Sequence, residues 1–483
     1  PERIPTDRDA QAALYRTQLA DKRMLIVLDN ARDTAQVRPL LPGAPGCLVL
    51  VTSRNRLTSL VAATGAHPLA LDLLTADEAR DLLTRRLGTR RVAAEPGAVN
   101  TLITRCARLP LALAIAAGRA ATHPQLPLAA LAAELVDTRL DALADTDPVT
   151  DIRAVFSWSY RALDTEAAMV FGQLGLAPGP DIGLPAAASL VARSTTRTQV
   201  LLQRLDEAHL VQHHRPGRYR MHDLVKLYAA ERAVRDLPSQ EREAGLRRLV
   251  DHYTHTAFAG ARLLYPHRPA IALDPPAPGS HPHPLPDRTA ALAWFEAEHP
   301  HLLATQQTVV EQGWHTRVWQ LAWTLNLFHQ LRGRRQDDMA VWRAALAAAE
   351  HLADPTIQSL THRHLGHAYA QLGRHDEAVR HLHHALALAE HTNNLSDQAL
   401  THRALAWAWE ARGEDGRARE CARRALRLYQ ALDQPVWEAS ALNMMGWFSA
   451  RLGEHDQARA HCQAALDLCR SHHYLDGEAA TLD

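Results

Sequence analysis

The sequence predicts a mainly α-helical protein with an N-terminal α/β portion and a C-terminal α-solenoid. Three observations carry this expectation. Two short apolar runs at 24–28 (MLIVL) and 47–51 (CLVLV) are flanked by turn residues, as buried parallel strands are. Stretches beginning at Leu372, Arg412 and Leu452 align without gaps at a step of 40 residues. Between these regions, a run of helical patterns ends in LVQHH, a turn at Arg215-Pro-Gly-Arg218 and YRMH, which reads as a β-hairpin.

Taken in order, the segment between the two apolar runs starts polar and ends in Pro-Gly-Ala-Pro-Gly, as a crossover between parallel strands should. A third short strand is expected at 68–71. Thr75-Ala-Asp-Glu78 then opens a helix with a capping-box pattern, and the periodicity stays helical to about Asp147. Helices are expected at 152–162, 165–174, 184–192 and 198–208. With the hairpin they make a helical bundle of winged-helix type. A helical stretch follows to about Leu264, and the Pro/His-rich residues 266–286 read as an irregular linker.

In the repeats, Gly373, Gly413 and Gly453 mark a turn, and Ala378, Ala418 and Ala458 keep the same step. Leu365, Ala368, Tyr369 and Leu372 lie at helical spacing before the turn. Ala378, Leu382, Ala385, Leu386 and Ala389 form one apolar stripe after it. Small residues at Gly366 and Ala378 should let neighbouring helices approach closely. Gly333 and Leu346 mark a degenerate earlier copy, and Glu478-Ala479 starts a further one. The Leu-Gly-x-x-Tyr and later Ala columns resemble tetratricopeptide repeats, with a longer period than usual. Stacked pairs of this kind form a concave face suited to binding.

Composition excludes several classes. At 483 residues, about three domains are expected. The 53 basic and 53 acidic residues balance, which excludes binding to nucleic acid or anionic lipid by bulk charge. The basic residues are nearly all arginine, Lys22 and Lys226 being the lysines. Five cysteines without a C-x-x-C pair argue against a disulfide scaffold or zinc site and for a reduced, cytoplasmic protein. Apolar runs fall short of a membrane span. The start at Pro1 and the end within a helical pattern suggest a fragment cut at both ends. The 29 histidines include His362, His364 and His367 on one helix and His381, His383 and His384 on the next; these read as solvated surface rather than a metal site.

The first strand ends in LIVLD, and Asp29 resembles a Walker B acid able to hold Mg²⁺ directly or through water. The next strand ends in Thr52-Ser53-Arg54, where an arginine can sense a terminal phosphate. Arg108-Leu109-Pro110, the winged-helix unit and Met221-His222-Asp223 follow. This order resembles the NB-ARC module of signal-transduction ATPases. The resemblance implies that His222 meets the β-phosphate of ADP, that Asp223 steadies the site and the closed packing, and that Pro110 lines the adenine pocket. LDNARD at Leu28, SWSYRALD at Ser157 and YRMHDLVKLYAAE at Tyr219, with the helical repeats, are similar to the actinobacterial AfsR-like regulators. That resemblance implies a DNA-binding region upstream of Pro1, an ATP/ADP switch with Mg²⁺ and homo-oligomerisation on activation.

The implied fold is thus a partial parallel-sheet nucleotide-binding domain (1–72) and a small helical domain (73–148). A winged helix (149–235), a helical linker region (236–320) and tetratricopeptide-like repeats (321–483) follow. No G-x-x-x-x-G-K-[ST] occurs in this sequence, so this chain should bind ATP or ADP weakly or not at all. Asn30 stands where many such ATPases carry a second acid, so slow hydrolysis is expected. Arg108 takes the usual Gly position of Gly-x-Pro. Arg193, Arg197 and Arg204 raise direct DNA binding by the winged helix, but Asp206 and Glu207 share that helix and favour a switch role. In the repeats, Leu365, Leu405 and Met445 are the inward positions. Two columns beside them, Arg363, Arg403 and Asn443, and His367, Trp407 and Trp447, would line a partner-binding groove for an extended peptide with apolar and acidic side chains. The alternative is that the Trp rings pack between repeats. For the whole chain, the alternatives to a switched transcriptional regulator are a repeat scaffold with a vestigial ATPase and an NTP-hydrolysing enzyme.

Overall fold

Parallel strands need a crossover, and the polar stretch between the two apolar runs provides one. In the computed structural model, which describes residues 5, 7–31, 33–53, 56–137 and 152–482, α1 (Arg8–Leu19) precedes β1 (Leu25–Ala31). The short α2 (Thr34–Val37) and a 3-10 turn lead to β2 (Leu48–Ser53), and α3 (Thr58–Thr64) follows. The strands pair in parallel, Leu25 opposite Leu48 and Leu28 opposite Val51. Side chains alternate faces along a strand. Leu28 and Val51 pack on Ala31, Val37 and Leu60, whereas Leu25 and Leu48 are 61% and 70% exposed. The strands are therefore buried on one face, not on both as a continuous apolar run suggests. No strand forms at 68–71, where Leu69 and Leu71 are exposed; Pro68 lacks the amide that a ladder position uses.

The helical stretch begins at α4 (Ala76–Leu87), capped as expected by the reciprocal Thr75–Glu78 box. It continues through α5 (Thr89–Ala94), α6 (Pro96–Arg105), α7 (Pro110–Thr122) and α8 (Leu128–Asp137). The Glu95 carboxylate caps α8 by accepting from the Leu128 and Ala129 amides at 3.0 and 2.9 Å. Next come α9 (Ile152–Arg161), α10 (Thr165–Gly175), β3 (Ile182–Gly183), α11 (Leu184–Val191) and α12 (Thr195–Glu207). The hairpin β4 (Gln212–Arg215) and β5 (Arg218–Arg220) turns at Gly217, whose φ of +69° is the left-handed region glycine favours. It gains a strand the sequence pattern did not suggest, because β3 pairs antiparallel with β5. α13 (Asp223–Asp236) crosses α10 so closely that a Cβ on Gly175 would stand 2.4 Å from the Ala230 nitrogen.

Two compact units divide the chain, Pro1–Leu249 and Val250–Asp483. The boundary falls inside α14 (Ser239–Leu264). In the second unit an irregular stretch leads to α15 (Arg288–Glu311), and helix pairs then follow at constant length. They are α16 (His315–Leu331) and α17 (Arg335–Glu350), α18 (Pro355–Gln371) and α19 (His375–His391), α20 (Leu395–Ala411) and α21 (Asp415–Ala431), and α22 (Pro435–Arg451) and α23 (His455–Ser471); α24 (Leu475–Leu482) starts the next. The turn inside each pair holds Gly333, Gly373, Gly413 and Gly453, all at φ between +63° and +82°. The turn between pairs is also left-handed, at Gly313, Ala353, Asn393, Asp433 and His473, again at a step of 40. No helix among the described residues is long and apolar enough to cross a membrane, and the five cysteines are free.

Close approach within a pair rests on glycine. A Cβ on Gly366 would lie 2.8 Å from Leu382 Cγ and 3.0 Å from the Ala378 oxygen; on Gly446 it would lie 2.4 Å from Cys462 Sγ and 3.1 Å from the Ala458 oxygen. Gly446→Ala should therefore lower array stability by about 1–3 kcal/mol through overpacking. Gly416→Ala, where nothing lies within 4 Å, should be neutral or stabilise by about 0.4–1 kcal/mol. Urea unfolding of the two variants side by side checks the contrast.

Candidate functional site

At the end of β1, the Thr52 hydroxyl donates to Asp29 Oδ1 and accepts from the Asn30 amide at 2.9 Å. Asn30 takes φ +55°, a conformation asparagine tolerates better than most residues, and the register slips between Leu28 and Ala31. The strand end thus turns outward with the Asp29 carboxylate exposed. Arg54 lies outside the described residues. Arg56, just beyond it, pairs with Asp206 of α12 at 2.8 Å.

Pro110 opens α7 at its first turn, where its missing N–H costs nothing. Arg108 before it has φ +58°, and its carbonyl accepts from the Leu74 amide at 3.3 Å. That left-handed conformation explains physically why glycine suits this position in the resembling family. His222 is the N-cap residue of α13, half-buried, and its Nδ1 is buried with no hydrogen-bond partner. Burial pushes the imidazole below its usual range; the charges of Asp223, Arg220, Arg108 and Asp72 also bear on it. The fold therefore brings His222 near the loop that leads into Pro110. Asp223 is exposed at the start of α13. No contact among the described residues joins Asp29 to His222.

The arginines on α11–α12 do not form a free basic patch. Arg193 and Arg197 both pair with Glu166, and Arg204 pairs with Asp164. Asp206 is buried and accepts from the His213 amide as well as pairing with Arg56.

In the repeats, the two columns occupy different environments. Arg363 is 9% exposed and pairs with Asp397 at 3.3 Å. Arg403 lies over the Trp437 ring at 4.5 Å, and Asn443 donates to the Ala480 carbonyl at 3.1 Å. His367 is half-buried, 3.4 Å from Gln330 Nε2. Trp407 and Trp447 are 42% and 50% exposed, and the Trp447 indole donates to Glu410 at 2.6 Å. The first column is thus largely engaged by the chain itself, and two rings of the second face solvent. Sequence reasoning missed Asp397 and Trp437 as neighbours of these columns, because residues meeting from different repeats leave no local pattern.

Of the six repeat histidines, His383 and His384 are exposed as expected, whereas His362, His364, His367 and His381 are half-buried. His362 Nδ1 lies 2.9 Å from His381 Nδ1, and His364 stacks on Trp342 at 4.4 Å. Burial lowers His252, His299, His362 and His402 to about 4, and His364 well below the usual value. Among the described residues no group of three or more His, Cys, Asp or Glu is placed to hold a metal.

Tetratricopeptide-repeat families match residues 357–431 and 439–473. The chain is homologous to the regulatory protein AfsR of Streptomyces griseus, 40% identical over 380 residues, covering 78% of this chain and 38% of that protein. It is 44% identical over 313 residues to the regulatory protein AfsR of Streptomyces coelicolor, covering 62% of this chain and 30% of that protein. The chain therefore spans well under half the length of these curated relatives. Among solved structures, a signal transduction ATPase with numerous domains and a tetratricopeptide repeat sensor from Pyrococcus horikoshii aligns over 99% of this chain and 67% of its own. The identity is 15% and the TM-score 0.34.

Two outcomes follow from the geometry. Trp407→Ala should cost about 1 kcal/mol or less, whereas Trp342→Ala, fully buried, should cost about 3–5 kcal/mol; denaturant melts separate them. The buried histidines have folded pKa values below the unfolded value of about 6.5, so the unfolded chain binds more protons in acid. Stability of the second unit should be full above pH 6.5 and fall as pH drops towards about 4. Melting temperatures between pH 7.5 and 4.5 that stay level would contradict this.

Proposed function

We propose that this chain is the switch and sensor portion of a nucleotide-controlled bacterial transcriptional regulator. Homology to AfsR regulatory proteins supports the regulator. The observation that carries the switch is His222, whose buried, unpartnered Nδ1 lies beside the Arg108–Pro110 loop. A buried polar nitrogen without a partner in the chain is open to a hydrogen bond from outside it, and the neighbouring Arg108–Pro110 loop favours a ligand atom there. In this reading His222 donates to a phosphate oxygen of ADP, Asp223 keeps α13 in the closed arrangement and Pro110 borders the base. Arg54 senses the terminal phosphate. Asp29, already oriented by Thr52, holds Mg²⁺ through water. ADP and ATP with Mg²⁺ supply the charge that distinguishes the two states.

The unit built from α10–α13 and the β3–β5 sheet serves as a winged-helix lever rather than a DNA reader. Arg193, Arg197 and Arg204 are neutralised by Glu166 and Asp164, and Arg56–Asp206 ties the unit to the loop after β2, the strand paired with the one that carries Asp29. The proposed division is a nucleotide-binding portion to residue 72, a helical domain to 148, the winged helix to 235, a helical linker region to 320 and repeats beyond. DNA is contacted by a region upstream of this chain, ATP exchange favours a homo-oligomer, and the protein is cytoplasmic. The array senses a protein or peptide partner on its concave face, with Trp407 and Trp447 as its open ledge.

Calorimetry tests the switch. The complete gene product should bind ADP, and His222→Ala should weaken binding about tenfold or more, the worth of a hydrogen bond to a charged group. The 483-residue chain alone should bind far more weakly, because the phosphate-cradling loop is not in its sequence. A complete gene product without ADP binding would instead favour a repeat scaffold with a vestigial ATPase.

A further inference from the structure

The stretch after α14 is irregular, yet it is seated in the repeats. Tyr265 packs on the cluster formed by Ala399, Leu400, Ala425, Tyr429, Trp437 and Ala441. Its ring meets Trp437 edge-on at 5.9 Å, and its hydroxyl lies 3.0 Å from that of Tyr474. Three residues on, the Arg268 guanidinium covers Trp323 at 3.9 Å and donates to the Trp323 carbonyl at 2.9 Å. Its other nitrogen lies 3.5 Å from His364 Nε2. Gln320 then donates to the Ala272 carbonyl at 3.0 Å. Residues 265–272 thus touch the first helices of successive pairs, α16, α18, α20 and α22. The Arg268 amide closes a turn on the Tyr265 carbonyl at 3.3 Å, and Pro266 sits at the second turn position, where its fixed φ suits it.

The seat is electrostatically mismatched. Arg363 and Arg403, from the first column, both face Arg268, and Asp338 is the acid that faces it. Asp397 answers Arg363 through one nitrogen, while Arg363 Nε is buried without a partner. Burial, aided by Arg363 and Arg403, lowers Arg268 to about 9. A cation sits where the surrounding side chains favour an anion, held by the Trp323 ring and by carbonyl contacts.

We propose that residues 265–272 are a built-in ligand of the repeat groove. The partner they stand in for is a peptide that makes the same turn, with an aromatic residue followed three positions later by Asp or Glu. The aromatic residue takes the Tyr265 seat against Trp437. The carboxylate takes the place of Arg268 between Arg363 and Arg403, where it completes the unanswered guanidinium. The built-in segment reduces the apparent affinity of the partner by the fraction of time it is seated. This rests on the reading of the array as a sensor and adds to it the chemistry of the partner.

Fluorescence polarisation with the 483-residue chain provides the test. The probes are labelled peptides copying residues 262–274, one native and one with Arg268→Glu. The acidic peptide should bind the chain more tightly than the native one. Chains carrying Tyr265→Ala, or Arg268→Ala, should bind the acidic peptide about tenfold more tightly than the unmodified chain. The second variant leaves the Tyr265 packing intact, and circular dichroism melts confirm that each is folded. Equal affinity across the three chains, no binding to any, or a preference for the native peptide would overturn the proposal. So would displacement of the acidic peptide by millimolar inorganic phosphate alone, which would make the site a small-anion site. The sensor reading is tested separately by the loss of signal response in the complete gene product carrying Trp407→Ala. It can therefore stand if the built-in ligand fails.

Discussion

A single helix cannot bury its own apolar stripe, so each repeat depends first on how closely its two helices approach. Here that approach is set by Gly366 and Gly446, which let α18 and α22 lie against the carbonyls of Ala378 and Ala458 on the following helices. Left-handed residues at both turns return the chain in the same direction every 40 residues. Because the register is constant, a position on the first helix recurs at the same place on the next pair. Arg363, Arg403 and Asn443 become one column, and His367, Trp407 and Trp447 another. The groove is a consequence of turn geometry and helix spacing before any of its chemistry is considered.

That chemistry is unusual for an interior. Arg363 is buried and Arg268 and His364 are half-buried beside Arg403, with Asp338 and Asp397 as the facing acids. Burying charge without full pairing opposes folding. The array carries this strain on one inner face, while apolar residues such as Phe295, Phe328 and Phe448 are fully buried elsewhere in the same unit. In the proposed reading, incompletely paired cations and exposed indoles on one array serve recognition rather than stability.

Much of this was legible. The parallel pairing of β1 and β2, the capping box at Thr75, the hairpin around Gly217, the end of α14 near Leu264 and the turn glycines all have local signals, and all appear where periodicity and turn chemistry place them. The second turn was not legible, because Ala353, Asn393, Asp433 and His473 share a backbone conformation but no residue type. The half-open sheet was not legible either: a run such as MLIVL has the same composition whether one face or both are covered. Candidate site residues were found through motif order, while their partners were not. Nothing local links Arg56 to Asp206, or Arg268 to Trp323, residues far apart in sequence that only the fold brings together. The Pro/His-rich stretch lacked periodicity and read as a linker, although Arg268 and Ala272 meet the repeats and residues 277–283 are held by α14.

In the proposed reading, the groove and the proposed nucleotide-binding portion share one balance. If the seated segment and the ADP-bound form belong to the same state, linkage requires each to affect the other by the same factor. The most direct measurement is the ADP affinity of the complete gene product with and without saturating acidic peptide. The account predicts that the peptide weakens ADP binding about fivefold or more, the lower end of typical coupling between sites. An ADP affinity unchanged by a peptide that demonstrably fills the groove would contradict it.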